Sequence, residues 1–248
     1  MTQNYPILNL ARIILFIKDM RNQKKYTVGV LALQGAFKEH IHLLNQATNN
    51  YDSYEISYIE VRNQQQLSTC DALIVPGGES TSMSLIAERS GMLEPLANYA
   101  LLKKPIWGTC AGLIFLSKQV INGSPGQKLI GALDIQVKRN AFGRQLDSFE
   151  QNLDFTSFIP GVNDFPSIFI RAPVVSKILK TSSSDEIITM KETIKKVNES
   201  PVKILYQLDN GLIVAVRQGN ILGTSFHPEL SDDCRFHKWF IDEFVLQI

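Results

Sequence analysis

Surplus charge is the first thing missing. Lys+Arg 25 against Asp+Glu 24 leaves the 248-residue chain at +1, so no electrostatic field recommends a nucleic acid or a charged membrane surface as partner. Cysteine is scarce: Cys70, Cys110 and Cys234 are odd in number, far apart and without zinc-ligand spacing. That argues against a disulfide scaffold, predicts no metal site and suits a reducing, cytoplasmic compartment. Long apolar runs are missing too. Residues 7–17 are apolar but broken by Asn9 and Arg12, are too short to span a bilayer, and no small-residue cleavage site clearly follows. We read this stretch as an amphipathic helix packing on the domain, with a transit peptide or a misassigned start codon as alternatives.

What is present is enough apolar residue, 44% against 20% charged, for one soluble domain that needs no covalent staples. We divide the chain into an N-terminal extension, residues 1–25, and a single domain, residues 26–248. Strand-like runs at Val28–Leu33, Ile56–Val61, Ala72–Val75 and Pro105–Gly108 alternate with helical stretches at Ala36–Ala47, Thr81–Arg89, Met92–Leu102 and Ala111–Lys118. That alternation predicts an α/β fold, a mostly parallel sheet with helices on both faces. Later runs (Leu133–Arg139, Ser167–Ile170, Val202–Leu208, Leu212–Arg217, Ile221–Phe226) are joined in part by the turn signals Asp209-Asn210-Gly211 and Gln218-Gly219-Asn220, which predicts an antiparallel extension. Residues 180–200 read as an exposed insertion. Phe236, Phe240 and Phe244 at spacing four give an amphipathic closing helix.

The sharpest local signal is Ile106-Trp107-Gly108-Thr109-Cys110-Ala111-Gly112-Leu113. An apolar strand enters a Gly-x-Cys-x-Gly turn and leaves as a helix, the geometry of a nucleophile elbow. It puts the thiol at the carboxyl end of a strand, where open α/β sheets bind ligands, and at a helix N-terminus. A buried cysteine is ordinarily a small hydrophobe, and Cys70 and Cys234, without such flanks, are read that way. The thiol needs a base, and the sequence has four histidines. His40, His42 and His237 lie on helices and are assigned to packing or surface. His227 instead follows a strand and precedes Pro228-Glu229; an extended Pro228 would let His227 and Glu229 project to one side, the carboxylate orienting the imidazole. Pro76-Gly77-Gly78-Glu79-Ser80 ends another strand with free backbone N–H groups suited to an oxyanion, or forms an ordinary turn with Ser80 as N-cap.

With these residues in hand, the chain resembles the class I glutamine amidotransferases, whose signature is this elbow with a distant His-x-Glu. More narrowly it is similar to the family of glutaminase subunits of pyridoxal 5′-phosphate synthase, through Gly29–Ala36, Pro76–Thr81, Gly108–Leu113, Arg139–Gln145, Phe169–Pro173 and Ser225–Leu230. The likeness spans about residues 27–247. It implies a flavodoxin-like three-layer sandwich and hydrolysis of L-glutamine to glutamate and ammonia, with the ammonia delivered to a separate synthase (lyase) subunit. It further implies a triad of Cys110, His227 and Glu229, glutamine held at Gly78, Glu79, Ser80, Arg139, Ile170 and Arg171, and an oxyanion hole from Gly78 and Ala111. No cofactor or metal is expected. Residues 1–25 and the longer 180–200 segment resemble additions of eukaryotic, fungal members. The competing readings are a DJ-1/PfpI-like hydrolase or chaperone, which commonly has His where Ala111 stands, and a non-catalytic assembly subunit.

Overall fold

The computed structural model describes residues 23–142, 148–179 and 199–248. The helix expected at 7–17, the residues Arg144 and Gln145, and nearly all of the 180–200 insertion lie outside that set.

Three of the four central strands are only four residues long and built of apolar or small side chains, Trp107 included. Strands β1 (Lys24–Leu31), β3 (Ala72–Val75) and β4 (Ile106–Thr109) come from the first half and β12 (Ile221–Thr224) from the end of the chain. In β3, β4 and β12 every residue is buried, the pattern of parallel strands covered on both faces. With β2 (Tyr54–Val61) on the outside, the order β2-β1-β3-β4-β12 is parallel throughout. Beyond β12 the sheet turns antiparallel through β11 (Ile213–Gln218), β9 (Val174–Ile178) and β6 (Leu133–Lys138), while β5 (Ser117–Ile121) closes the edge parallel to β6 and β10 (Val202–Gln207) pairs with β11. A separate hairpin pairs β7 (Ser148–Leu153) with β8 (Phe165–Ile170). The expected mostly parallel sheet with an antiparallel extension is present.

Two cores cover the two faces. One is largely aliphatic, with Leu31, Leu73, Val75, Leu113 and Leu133. The other is aromatic, packing Trp107, Phe155, Phe165, Phe226, Phe236 and Phe240 beneath the closing helices. Burying one such ring contributes about 1.5–3 kcal/mol, so the aromatic face fixes the closing helices firmly against the sheet. The first helix, α1 (Phe37–Thr48), buries His40, Leu43, Leu44 and Ala47. Helices α2 (Gln64–Thr69), α3 (Ser80–Arg89) and α4 (Leu93–Leu101) follow, then α5 (Ala111–Leu116) and α6 (Arg235–Phe240), which runs into a π-helical turn at Ile241–Leu246.

The helix expected at Ala111–Lys118 stops at Leu116. The Ser117 hydroxyl bonds to the carbonyls of Ile114 and Gln119, competing with the helical ladder, and Val120 and Ile121 favour the strand that follows. Among the described residues no helix is long and apolar enough to cross a membrane.

Candidate active site

Three neighbouring strands deliver the site. Val75 of β3 lies opposite Gly108 of β4, and Thr109 of β4 opposite Thr224 of β12. The segments leaving their carboxyl ends, Gly77, Cys110 and His227, therefore emerge side by side.

Cys110 occupies φ 48°, ψ −101° between β4 and α5, a region that costs a non-glycine residue about 1–3 kcal/mol. Its N–H donates to Thr224 O of β12 at 2.8 Å and its carbonyl accepts from Ile114 N of α5 at 3.2 Å, so the neighbouring strand and the following helix hold the strained residue. A Cβ on Gly112 would overlap the Val75 carbonyl; glycine there lets α5 sit against β3. The thiol is 6% exposed and lies 4.0 Å from Ile170 O.

His227 Nδ1 is 2.7 Å from Glu229 Oε1, which leaves Nε2 free for the thiol. The two residues meet by a route other than the extended Pro228 read from the sequence: Pro228–Leu230 is one 3-10 turn, with Leu230 N donating to His227 O at 3.3 Å. Proline at the first position of such a turn loses no needed donor and supplies the right φ. Strand β12 ends at Thr224, and His227 is anchored further on by its N–H to Ile168 O of β8 at 2.7 Å. Burial opposes a charge on His227, but the Cys110 thiol and the Glu229 carboxylate outweigh it and raise the imidazole pKa above its usual range. That is the electrostatic signature of an imidazolium held between two acidic groups.

The other expected site residues gather around this centre. Gly78 has φ 154°, and a Cβ on it would collide with the Gln34 amide, whose Oε1 accepts from Glu79 N at 3.0 Å. Ala111 is buried as the first residue of α5. Glu79, not Ser80, caps α3, accepting from Thr81 N at 3.0 Å and Ser82 N at 2.6 Å. Burial pushes its carboxyl up, but those hydrogen bonds prevail and hold it down at about 2. Ser80 is buried, its hydroxyl without a partner among the described residues. Arg139 donates to Glu79 Oε1 at 3.2 Å and Thr81 Oγ1 at 3.3 Å. Ile170 contributes its carbonyl, and exposed Arg171 sits beside it at φ 43°. No cluster of three or more metal-ligating side chains exists among the described residues.

Sequence reasoning assigned His40 and His237 to packing or surface, and both are fully buried. They also stand directly behind the site: His40 Nε2 lies 3.4 Å from Glu229 Oε2. The available signal was a histidine on the apolar stripe of α1, beside Leu43 and Leu44.

A mostly parallel sheet carrying a strained cysteine elbow beside a His-x-Glu turn is the arrangement expected of the glutamine amidotransferase class. A crystal structure of a glutamine amidotransferase superposes on the chain with TM-score 0.66 at 38% identity, over 87% of this chain and 97% of that one. The chain belongs to the SNO glutamine amidotransferase family, whose model matches residues 30–193 and 186–246, and it is an enzyme of that family. Membership removes the DJ-1/PfpI-like alternative. Similar relatives include the probable pyridoxal 5′-phosphate synthase subunit SNO3 of Saccharomyces cerevisiae, 49% identical over 234 residues (89% of this chain, 96% of the relative). The pyridoxal 5′-phosphate synthase subunit PdxT of Dehalococcoides mccartyi is 43% identical over 216 residues (86% and 95%). The probable subunit PDX2 of Arabidopsis thaliana is 39% identical over 227 residues (87% and 84%).

Proposed function

We propose that this chain is the glutaminase subunit of a pyridoxal 5′-phosphate synthase, releasing ammonia from L-glutamine for a separate synthase subunit. The observation that carries the chemistry is His227 gripped at Nδ1 by Glu229 at 2.7 Å, with the strained Cys110 on its other side. The names of the relatives support the pathway and the partner. Three free cysteines support a cytoplasmic setting. Residues 26–248 remain our reading of the glutaminase domain, although β1 already begins at Lys24.

Cys110 Sγ attacks the side-chain amide carbon of glutamine, and the carbonyl oxygen takes the negative charge, facing the backbone N–H groups of Gly78 and Ala111. The intermediate collapses as His227 gives its proton to the leaving nitrogen, releasing ammonia and leaving a glutamyl thioester. His227, now neutral, takes a proton from water; the hydroxyl adds to the thioester, the C–S bond breaks, and glutamate departs. Glu229 orients the imidazole throughout and steadies it whenever it is charged. Arg139 and the ionised Glu79 form an adjacent positive and negative pair, complementary to the carboxylate and ammonium of an amino acid.

The test is a glutaminase assay with the synthase subunit present. The wild-type chain is expected to yield equimolar glutamate and ammonia, and Cys110→Ala to lose at least about 10⁴-fold in kcat, the scale seen when a triad nucleophile is removed. Retained turnover in that variant sinks the mechanism, and a mixture that makes no pyridoxal phosphate sinks the pathway.

A further inference from the structure

Behind Glu229, on the side away from His227, lies a column of polar groups inside the aromatic core. His40 of α1 places Nε2 3.4 Å from Glu229 Oε2 and 3.3 Å from Thr109 Oγ1, and its Nδ1 lies 2.9 Å from His237 Nε2 on α6. Trp107 walls both imidazoles edge-on, at ring-centroid distances of 5.6 Å and 5.1 Å. The side chains of His40, Thr109, His237 and Trp107 are all buried, and the glutaminase mechanism as written uses none of them.

We infer that His40, backed by His237, is a positioning residue that fixes the Glu229 carboxylate for its work on His227, an inference that rests on the triad reading above. The contacts allow two proton arrangements, with His40 protonated on Nε2 or on Nδ1 and Thr109 Oγ1 accepting or donating to match, and the nearby carboxylate selects the first. Glu229 Oε2 is buried without a hydrogen-bond partner among the described residues, and His40 Nε2, hydrogen-bonded to Thr109 Oγ1, approaches it to 3.4 Å; a lone pair facing a buried carboxylate would be repelled, so His40 carries its proton on Nε2. Its Nδ1 then accepts, which requires His237 to donate from Nε2. The leftover atom is His237 Nδ1, and that nitrogen is the one buried without a partner. An orphaned ring acceptor is also the less costly end for such a chain, because a bare N–H would be a donor stranded in an apolar core.

Neutrality is part of the device. Burial, with the neighbouring His237 and His227, pushes His40 well below its usual pKa, and burial takes His237 to about 3 despite Asp233 nearby. Glu229, His227 and Asp233 are the titratable groups that face the pair. A lysine or arginine in place of His40 would compete with His227 for the carboxylate's charge. A neutral donor holds Oε2 in place and leaves the full negative charge for the imidazolium. With only Oε1 anchored, the carboxylate could turn about its terminal bond and lose His227.

Two measurements test this. Nitrogen-15 spectra of the histidines in the intact chain are expected to show His40 and His237 as neutral Nε2–H tautomers from about pH 5 to about pH 9, while an unperturbed histidine titrates in that range. A His40 that titrates there, or carries its proton on Nδ1, overturns the inference without touching the triad. In the glutaminase assay with the synthase present, His40→Leu is expected to lower kcat about 10–100-fold, the range for losing an orienting partner, with KM for glutamine within about twofold. Its alkaline limb of kcat/KM is expected to move to lower pH, because a turned carboxylate holds the His227 proton less well. His40→Gln, whose amide N–H reaches the Nε2 position, is expected to recover most of the rate. Wild-type kcat in His40→Leu, or equal losses in the two variants with an unmoved alkaline limb, overturns the inference.

Discussion

Cys70 and Cys110 are both buried, at 0% and 6% exposure, yet they occupy opposite chemical worlds. Cys70 ends α2 in ordinary extended backbone, and its thiol donates to Gln66 O at 3.3 Å. Burial pushes it up to about 11, with Lys104 only partly offsetting that. Cys110 is bent into positive φ at a strand end and faces an imidazole that its own thiol and the Glu229 carboxylate together keep charged. Equal burial therefore decides nothing. What separates a reactive thiol from a structural one is the neighbour it meets and the backbone that aims it.

The widest gap between the two is in turnover. Cys110→Ala is expected to abolish glutaminase activity, whereas Cys70→Ala leaves kcat within about twofold, as for a substitution remote from the chemistry; assays on folded variants check both. Alkylation sharpens the contrast. His227 is raised above its unfolded value of about 6.5, so its proton, and the pairing that depends on it, are fully present at neutral pH and are lost only as pH climbs through the raised value. Iodoacetamide is accordingly expected to label Cys110 in the native chain near neutral pH and to leave Cys70 unlabelled until denaturant is added. Peptide mass spectrometry reads both sites, and native labelling of Cys70 ahead of Cys110 would break the comparison. The smallest effect concerns stability. Cys110→Gly relieves a strain of about 1–3 kcal/mol and Cys70→Gly relieves none, so chemical denaturation is expected to find the first variant less destabilised than the second.

Much of this was legible in the residues themselves. The buried strands read at Ala72–Val75 and Pro105–Gly108, the second observed one residue later at Ile106–Thr109, were clear because short apolar runs ending in glycine turns have few alternatives. The elbow read clearly because glycines on both sides of Cys110 constrain backbone geometry more than they constrain anything else. Other parts depended on distant partners. Helix Gln64–Thr69 is six residues long and polar, too short to show a period, and Asn63 starts it by accepting from Gln66 N at 3.0 Å. Strand Ser148–Leu153 is mostly exposed and exists through its pairing with Phe165–Ile170, where Phe149 and Phe169 stack at 4.7 Å. The His40–His237 contact joins residues 197 positions apart, and no local pattern announces such a pairing.

The alignment of Thr109 with Thr224 across β4 and β12 makes the active site a gauge of sheet register. A slip of one residue between those strands would send one of the two exits to the opposite face, parting Cys110 from His227 although every helix could still form. Turnover of glutamine is then also a folding assay: with the Cys110 thiol intact and the synthase present, full helicity by spectroscopy without turnover is the result expected of strands mated out of step.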